Sequence, residues 1–186
     1  MSSAALRKIL FDCERMKYPF IGLYYYCFYL GKQLQLTSKD KEICFYLRNK
    51  NRAIFKDACI VSQSPVHRVK FPSLKKYSVF HSTYQGSLYY PWRQKIKIVL
   101  TVHDLNFLYD EKKEAWKKKR YLSKLKEKID RADHVATISN FVLEDIKKHI
   151  NLTGKPCSVI YNGCNTKEVT ALKEPPIKPA TPFYLA

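Results

Sequence analysis

The sequence predicts an α/β fold with an open, mainly parallel sheet of six to seven strands. Three short apolar runs, at 97–102, 134–138 and 157–161, each stop at a polar signature, which is typical of buried parallel strands. Six such candidate strands alternate with helical segments, the pattern of βαβ units. The 186 residues suffice for one sizeable domain with a core, because domains commonly contain about 100–200 residues.

The candidate strands set the order of the remaining elements. They span residues 8–12, 43–48, 77–81, 96–102, 134–138 and 157–161. Between the first two, residues 22–36 are predicted to form an aromatic helix that is apolar nearly all round and therefore buried on more than one side. Residues 53–62 are weakly helical, and the prolines that follow at 65 and 72 indicate a loop or short helices.

Two further helices are expected between the last three strands. Residues 111–130 have an amphipathic pattern whose apolar face comprises Ala115, Leu122, Leu125 and Ile129. The basic residues placed away from that face are Lys112, Lys113, Lys117, Lys119, Arg120, Lys124, Lys126 and Lys128. Ser139 is well placed to cap the N-terminus of the next helix, which ends before Gly154.

The chain is strongly basic, with 34 lysines and arginines against 16 acidic residues and a net charge of +18. This charge favours anionic partners such as phosphates, nucleic acid or an acidic membrane surface. The six cysteines form no CxxC pair and lie mostly in apolar runs, so we expect buried thiols in a reducing cytoplasm rather than a disulfide or zinc framework. The opening apolar run is too short for a signal-peptide core, and the run at 18–30 is shorter than the about 20 residues that span a bilayer.

Polar side chains follow the predicted strands at the edge where an α/β sheet binds its ligands. They are His81, Thr83 and Tyr84 after the third strand, His103 and Asp104 after the fourth, Ser139 and Asn140 after the fifth, and Asn162 and Gly163 after the sixth. His103 is the strongest candidate, because its ring can donate or accept a hydrogen bond and ionises near neutral pH. Asp104 is expected to fix its loop by accepting backbone N–H groups. Structural roles stay open for the others, since loops and helix caps use the same residue types.

Two other classes of protein fit parts of this pattern. A nucleic-acid-binding module would explain the charge, but the sequence lacks a helix-turn-helix, zinc-finger spacing and the aromatic RNP pattern. A dinucleotide-dependent oxidoreductase would use a similar sheet, but no GxGxxG follows the first strand. Arg48 and Asn49 also stand where an acidic residue would close the second strand.

Five segments resemble a known family in their order and spacing. They are PFIGLYY after the first strand, VFHSTYQ near the third, KIVLTVHDLNFL at the fourth, RADHVATISNFVLEDI at the fifth and SVIYNGCN at the sixth. Together they resemble the N-terminal domain of GT-B-type family 4 glycosyltransferases, a retaining group that includes mannosyl- and rhamnosyltransferase-like enzymes. The resemblance implies a Rossmann-like, doubly wound, acceptor-side domain over residues 1–169. Residues 170–186, rich in proline, would form a linker toward a missing C-terminal donor-binding domain.

The resemblance implies transfer of a hexose, with retention, from a nucleotide diphosphate sugar to a glycan or lipid-linked acceptor. The donor would be held mainly by the second domain, so the isolated chain is expected to be inactive. No cofactor or metal is expected, because helix dipoles and cationic side chains would stabilise the leaving diphosphate. Related enzymes often build envelope polysaccharides at the inner face of the cytoplasmic membrane, where the basic helix at 111–130 would meet anionic lipid. The alternative is a basic nucleic-acid- or nucleotide-binding Rossmann-like module without transferase activity.

The resemblance also implies roles for individual residues. His103 would lie against the transferred sugar near its anomeric carbon, where it would orient the substrate and stabilise charge. Gly22 would lie in a loop that faces the donor phosphates, although Phe20 stands where similar enzymes often have the first glycine of Gly-x-Gly. Asn162 and Gly163 would lie beside the interdomain cleft.

Overall fold

Seven parallel strands form the central sheet. The computed structural model describes residues 7–38 and 41–163. Within them the strands are β1 (Arg7–Asp12), β2 (Lys41–Leu47), β3 (Cys59–Ser62), β4 (Val79–Ser82), β5 (Lys97–Val102), β6 (His134–Thr137) and β7 (Cys157–Val159). Their order across the sheet is β3-β2-β1-β4-β5-β6-β7, and all neighbours pair in parallel. The predicted α/β class and parallel sheet are therefore confirmed.

Helices cover both faces of this sheet. The α-helices are α1 (Gly22–Thr37), α2 (Asn106–Tyr109), α3 (Ala115–Arg131) and α4 (Asn140–His149), and short 3-10 helices span Glu14–Lys17, Asn49–Phe55 and Pro65–Arg68. Burial alternates along the strands: Leu10 of β1 joins the core that includes α3 and α4, whereas Phe11 joins the core that includes α1. This is the Rossmann-like, doubly wound arrangement. None of the described helices combines the length and apolar composition that crossing a membrane requires.

The sequence analysis missed β3, although the other strands agree with prediction to within two residues at each end. Residues 53–62, expected to be weakly helical, instead contain the end of a 3-10 helix, a turn and the strand. Asp57 makes the turn with a left-handed backbone at φ 59°. Because no Gly or Pro marks this turn, and because β3 is a half-buried edge strand of four residues, the local sequence gives little signal.

Cys44 and Cys59 form a disulfide, so the expectation of unpaired cysteines is wrong for these two. They are direct partners in the parallel register of β2 with β3, and their Cα atoms lie 4.5 Å apart. Fifteen positions separate them in sequence, so only the strand pairing brings them together. Cys13 and Cys27 are free and buried, as expected, whereas Cys164 and the proline-rich residues 170–186 lie outside the described residues.

Helix α3 begins four positions later than predicted, and the exposure of two of its residues differs from the prediction. Ala115, expected on the apolar face, is exposed. Lys128, expected to face solvent, is only 7% exposed, and its Nζ donates to the carbonyl oxygens of Gln85 (2.8 Å) and Ser87 (2.6 Å). The long aliphatic stem lets the lysine lie within the core while the carbonyls satisfy its ammonium group. This contact fastens α3 to the loop after β4.

Candidate functional site

The candidate site lies where the sheet reverses its winding. From β1 the chain proceeds outward through β2 and β3, and β4, on the other side of β1, begins the series that ends at β7. In such a sheet a crevice opens at the carboxyl ends of the two central strands, because the loops that follow them diverge. The loops after β1, β4 and β5 bring Arg15, Tyr84 and His103 to this edge.

His103 follows β5 and is held in a defined orientation. Its Nε2 lies 2.8 Å from the carbonyl oxygen of Thr83, so Nε2 carries the ring hydrogen and donates it. The ring packs edge-on against Tyr26, with centroids 4.6 Å apart. Burial lowers the pKa of His103, which keeps the imidazole neutral at neutral pH. Nδ1 forms no hydrogen bond within the described part of the chain and is therefore available to accept one from a hydroxyl group.

His81 and Thr83 lie in the floor beneath the site. His81 is inside β4 rather than after it, and its Nε2 lies 2.9 Å from the hydroxyl of Thr101 on β5. Burial lowers the pKa of His81 to about 4, so this ring is also neutral. Thr83 is 1% exposed and donates its hydroxyl hydrogen to the carbonyl of Asp12 at 2.7 Å. These two side chains join the ends of β1, β4 and β5 and thereby position His103.

Tyr84 and Asp104 lie on either side of His103. The Tyr84 ring is half-buried, and its centroid lies 6.2 Å from that of His103. Asp104 accepts the N–H of Asn106 at 3.1 Å, and its carbonyl accepts from the side chain of Gln85 at 2.9 Å. The Asp104 carboxylate therefore fixes its loop by the kind of backbone hydrogen bond that was predicted.

A cavity of about 460 Å³ adjoins Tyr26, whose ring packs against His103. It brings together three of the predicted residues, Gly22, Asn162 and Gly163, although they come from opposite ends of the chain. Its remaining lining consists of Tyr25, Tyr26, Tyr29, Leu30, Gln33, Ile160 and Tyr161, without a charged side chain. The Tyr26 ring separates the cavity from His103.

Ser139 and Asn140, after β6, have different surroundings. The Ser139 hydroxyl accepts the N–H of Val142 at 3.2 Å, so it caps α4 as the sequence predicted. Asn140 is exposed, and its Nδ2 donates to the hydroxyl of Tyr161 at 2.9 Å. Because Tyr161 lines the cavity, Asn140 supports one wall of it, whereas Ser139 is engaged in the cap.

Residues 54–168 match the profile of a family described as Glycosyltransferase Family 4. The chain belongs to this family. The matched region includes β4, β5 and the loops with His103, Asn162 and Gly163. None of the curated proteins compared with the chain matches it. Family membership supports a glycosyltransferase function, with a sugar donor and an acceptor as partners, over the alternative of a nucleic-acid- or nucleotide-binding module.

The loop after β1 in this family 4 domain has an unusual residue. Phe20 has a left-handed backbone at φ 70°, a conformation that glycine adopts without strain and a bulky residue rarely does. The position that similar enzymes often fill with glycine therefore keeps a backbone suited to glycine, with an aromatic ring 87% exposed beside it. Gly22 begins α1, and a Cβ built on it would meet no atom within 4 Å, so open space adjoins the helix N-terminus.

A buried charged cluster beneath the family 4 site was not found from the sequence. The Ser87 hydroxyl lies 2.9 Å from a carboxyl oxygen of Asp12 and 2.6 Å from one of Glu14. Burial, reinforced by the nearby Glu14 charge, raises the pKa of Asp12 to about 7. Burial also lowers the pKa of Lys128 to about 8. The available signal was an acidic residue, Asp12, directly at the end of an apolar strand.

Potential metal ligands lie elsewhere in the family 4 domain. Among the described residues, one group of His, Cys, Asp or Glu atoms is close enough to hold an ion: Glu42, Cys44 and Cys59. This group lies at the amino ends of β2 and β3, on the edge of the sheet opposite His103. Two of its members are joined in the disulfide, and a metal requires thiolates.

Proposed function

We propose that the chain is the acceptor-side domain of a retaining hexosyltransferase. A second domain would supply the nucleotide diphosphate sugar, and the hexose would pass to a glycan or lipid-linked glycan of an envelope polysaccharide. The observation that carries this proposal is the position of His103 within a family 4 domain. It lies at the carboxyl ends of the central strands, with Nδ1 available and a ligand-sized cavity on the other side of the Tyr26 ring.

The cavity suits the acceptor better than the donor. The described residues that line it carry no charge, although the whole chain has a net charge of +18. Tyrosine rings offer an apolar face to the C–H groups of a sugar and a hydroxyl to its polar groups. A neutral, hydroxyl-rich acceptor therefore matches this surface, whereas a diphosphate would find no cation within it.

His103 would orient the reacting sugar. As a neutral ring that donates through Nε2, it has only the lone pair of Nδ1 to offer a substrate. We therefore assign it the role of accepting a hydrogen bond from a sugar hydroxyl, which would fix the ring relative to the incoming acceptor. The carbonyl of Thr83 and the ring of Tyr26 would hold the imidazole in place.

The first test distinguishes the roles of the two ring nitrogens of His103. It uses the transferase that contains both domains. Glutamine can replace the Nε2 donor but not Nδ1, and asparagine can replace Nδ1 but not Nε2. We expect His103→Gln to lower turnover by about tenfold or more, because the substrate hydrogen bond is lost. His103→Asn should keep more of the activity, and steady-state kinetics would measure both.

Circular dichroism and thermal melting of the same variants are the control for folding. An His103→Gln enzyme that is folded and has wild-type turnover would remove His103 from the site. The exposed His149 on α4 provides the matched substitution, since His149→Gln should leave the rate unchanged.

We also propose that α3 attaches the enzyme to the inner face of the cytoplasmic membrane. The exposed residues of the helix include Lys119, Arg120, Lys124 and Lys126, with Trp116 56% exposed beside them. Basic side chains bind an anionic leaflet with about 1 kcal/mol each, and tryptophan is stable among lipid headgroups.

A further inference from the structure

Arg15 has an unusual environment at the centre of the site. It lies in the 3-10 helix that directly follows β1, and Tyr84 follows β4, so the two residues come from the two strands between which the sheet reverses its winding. The guanidinium carbon of Arg15 lies 4.6 Å from the centroid of the Tyr84 ring. The Tyr84 ring in turn lies 6.2 Å from that of His103. The Tyr84 ring therefore contacts both the guanidinium of Arg15 and the imidazole of His103.

Two tyrosines hold this arginine, and no carboxylate of the described residues is paired with it. Its guanidinium also lies 5.0 Å from the Tyr18 ring, so aromatic faces position it through cation–π contacts. The Nε atom is buried and has no hydrogen-bond partner within residues 7–38 and 41–163. In the same part of the chain no carboxylate forms a salt bridge with Arg15. An unpaired buried donor is rare in folded proteins and calls for an explanation, such as a bound water, ion or ligand.

The acidic groups nearby are already engaged. Glu14 forms a salt bridge with Lys17 at 2.8 Å and accepts the N–H of Leu88 at 2.8 Å. Asp104 accepts the N–H of Asn106. The pKa of His103 is lowered mainly by burial and, to a smaller extent, by the positive charge of Arg15.

We propose that Arg15 recognises a phosphate group of a substrate beside His103. A guanidinium presents parallel N–H groups that match phosphate oxygens, and the two tyrosine rings pre-orient it for this contact. The inference rests on the proposed function, which offers two sources of phosphate: the diphosphate of the donor and the phosphate of a lipid-linked acceptor. It divides the site into a charged part at Arg15 and a neutral, tyrosine-lined part beyond Tyr26.

Direct binding is tested on this chain by NMR of the arginine Nε–H groups. Inorganic pyrophosphate represents the donor, and glycerol 1-phosphate represents the acceptor. We expect one of them to shift the Arg15 Nε–H signal saturably, and Arg15→Gln to weaken that binding by about tenfold or more. Arg15→Lys keeps the positive charge but lacks the planar guanidinium, so its affinity for the probe should lie between those of the wild type and Arg15→Gln. Wild-type affinity in Arg15→Gln for both probes would overturn the proposal.

Arg68→Gln is the matched control. The Arg68 guanidinium also lies over a tyrosine, 5.6 Å from the ring of Tyr89, but it belongs to the connection between β3 and β4. General attraction of anions to a basic protein would respond equally to both substitutions and would contradict the proposal, whereas the proposed site responds only to Arg15.

Kinetics of the two-domain enzyme identify the source of the phosphate. Arg15→Gln should raise the KM for either the donor or the phosphorylated acceptor by about tenfold, and leave the other KM unchanged. An active transferase whose kinetics do not change in Arg15→Gln would refute this inference and leave the proposed function intact. Conversely, pyrophosphate binding through Arg15 in a protein without transferase activity would refute the proposed function alone.

Discussion

Among individual residues, Asp12 has a carboxyl group whose protonation depends strongly on the fold. It is fully buried, and its Oδ2 shares the single hydroxyl hydrogen of Ser87 with the carboxylate of Glu14. The pKa of Asp12 in the folded protein is about 7, against 3.8 for an unperturbed group. The folded state therefore binds a proton that the unfolded state releases between these values, and the free energy of unfolding falls as pH rises through this range.

Asp12→Asn should remove this pH dependence, because an amide keeps the size of the side chain and does not ionise. We expect the stability of the variant relative to wild type to rise between pH 5 and pH 8 by a few kcal/mol at most. Urea denaturation at the two pH values measures the difference. Asp130→Asn, at an exposed position on α3, is the control. A constant difference between Asp12→Asn and wild type would show that Asp12 does not titrate in this range.

Among the helices and strands, those whose position depends only on nearby residues were predicted correctly from the sequence. Strands β1 and β5 are short apolar runs buried on both faces, so their position follows from composition. Ser139 was recognised because a helix cap depends on neighbours only three residues away. Strand β3 and the burial of Lys128 depend on partners distant in sequence, and no local pattern specifies them.

The Cys44–Cys59 disulfide is the clearest consequence of such non-local pairing. It leads to a prediction about the stability of the protein. Cross-linking residues 15 positions apart restricts the unfolded chain, which stabilises a protein by about 3 kcal/mol. We expect a thiol reductant to lower the free energy of unfolding by about this amount, as measured by urea denaturation. The double variant Cys44→Ala, Cys59→Ala should not respond to the reductant, because the other described cysteines, Cys13, Cys27 and Cys157, are already free. Equal stability of the wild type with and without reductant would contradict the prediction.

At the scale of the whole molecule, topology decides which predicted site residues can act together. The sequence correctly placed polar side chains at the carboxyl edge, because strand ends are local features. It could not order the strands, so it missed that β1 and β4 are neighbours and that Arg15 therefore meets Tyr84. For the same reason it grouped His81 with exposed loop residues, although His81 lies within β4.

The same topology relates the proposed membrane surface to the site. Because α3 leaves the carboxyl edge after β5 and returns to the amino edge before β6, its first turns lie near the end of the sheet that holds His103. A membrane bound by α3 would therefore lie close to the site, where the proposed lipid-linked acceptor would have to arrive.

Replacing Lys119, Lys124 and Lys126 by glutamine tests this arrangement against a simple effect of net charge. At about 1 kcal/mol for each lysine, the triple variant should bind vesicles of phosphatidylglycerol about a hundredfold more weakly than wild type in a sedimentation assay. A control variant of equal charge replaces three exposed basic residues in the connection between β2 and β3, Arg48, Arg52 and Lys56, which lies on the other side of the sheet from α3. Only the α3 variant should lose binding if this helix faces the membrane, because electrostatic attraction falls off within a Debye length of about 10 Å. Equal losses in the two variants would mean that the overall charge, and not α3, attracts the protein to lipid.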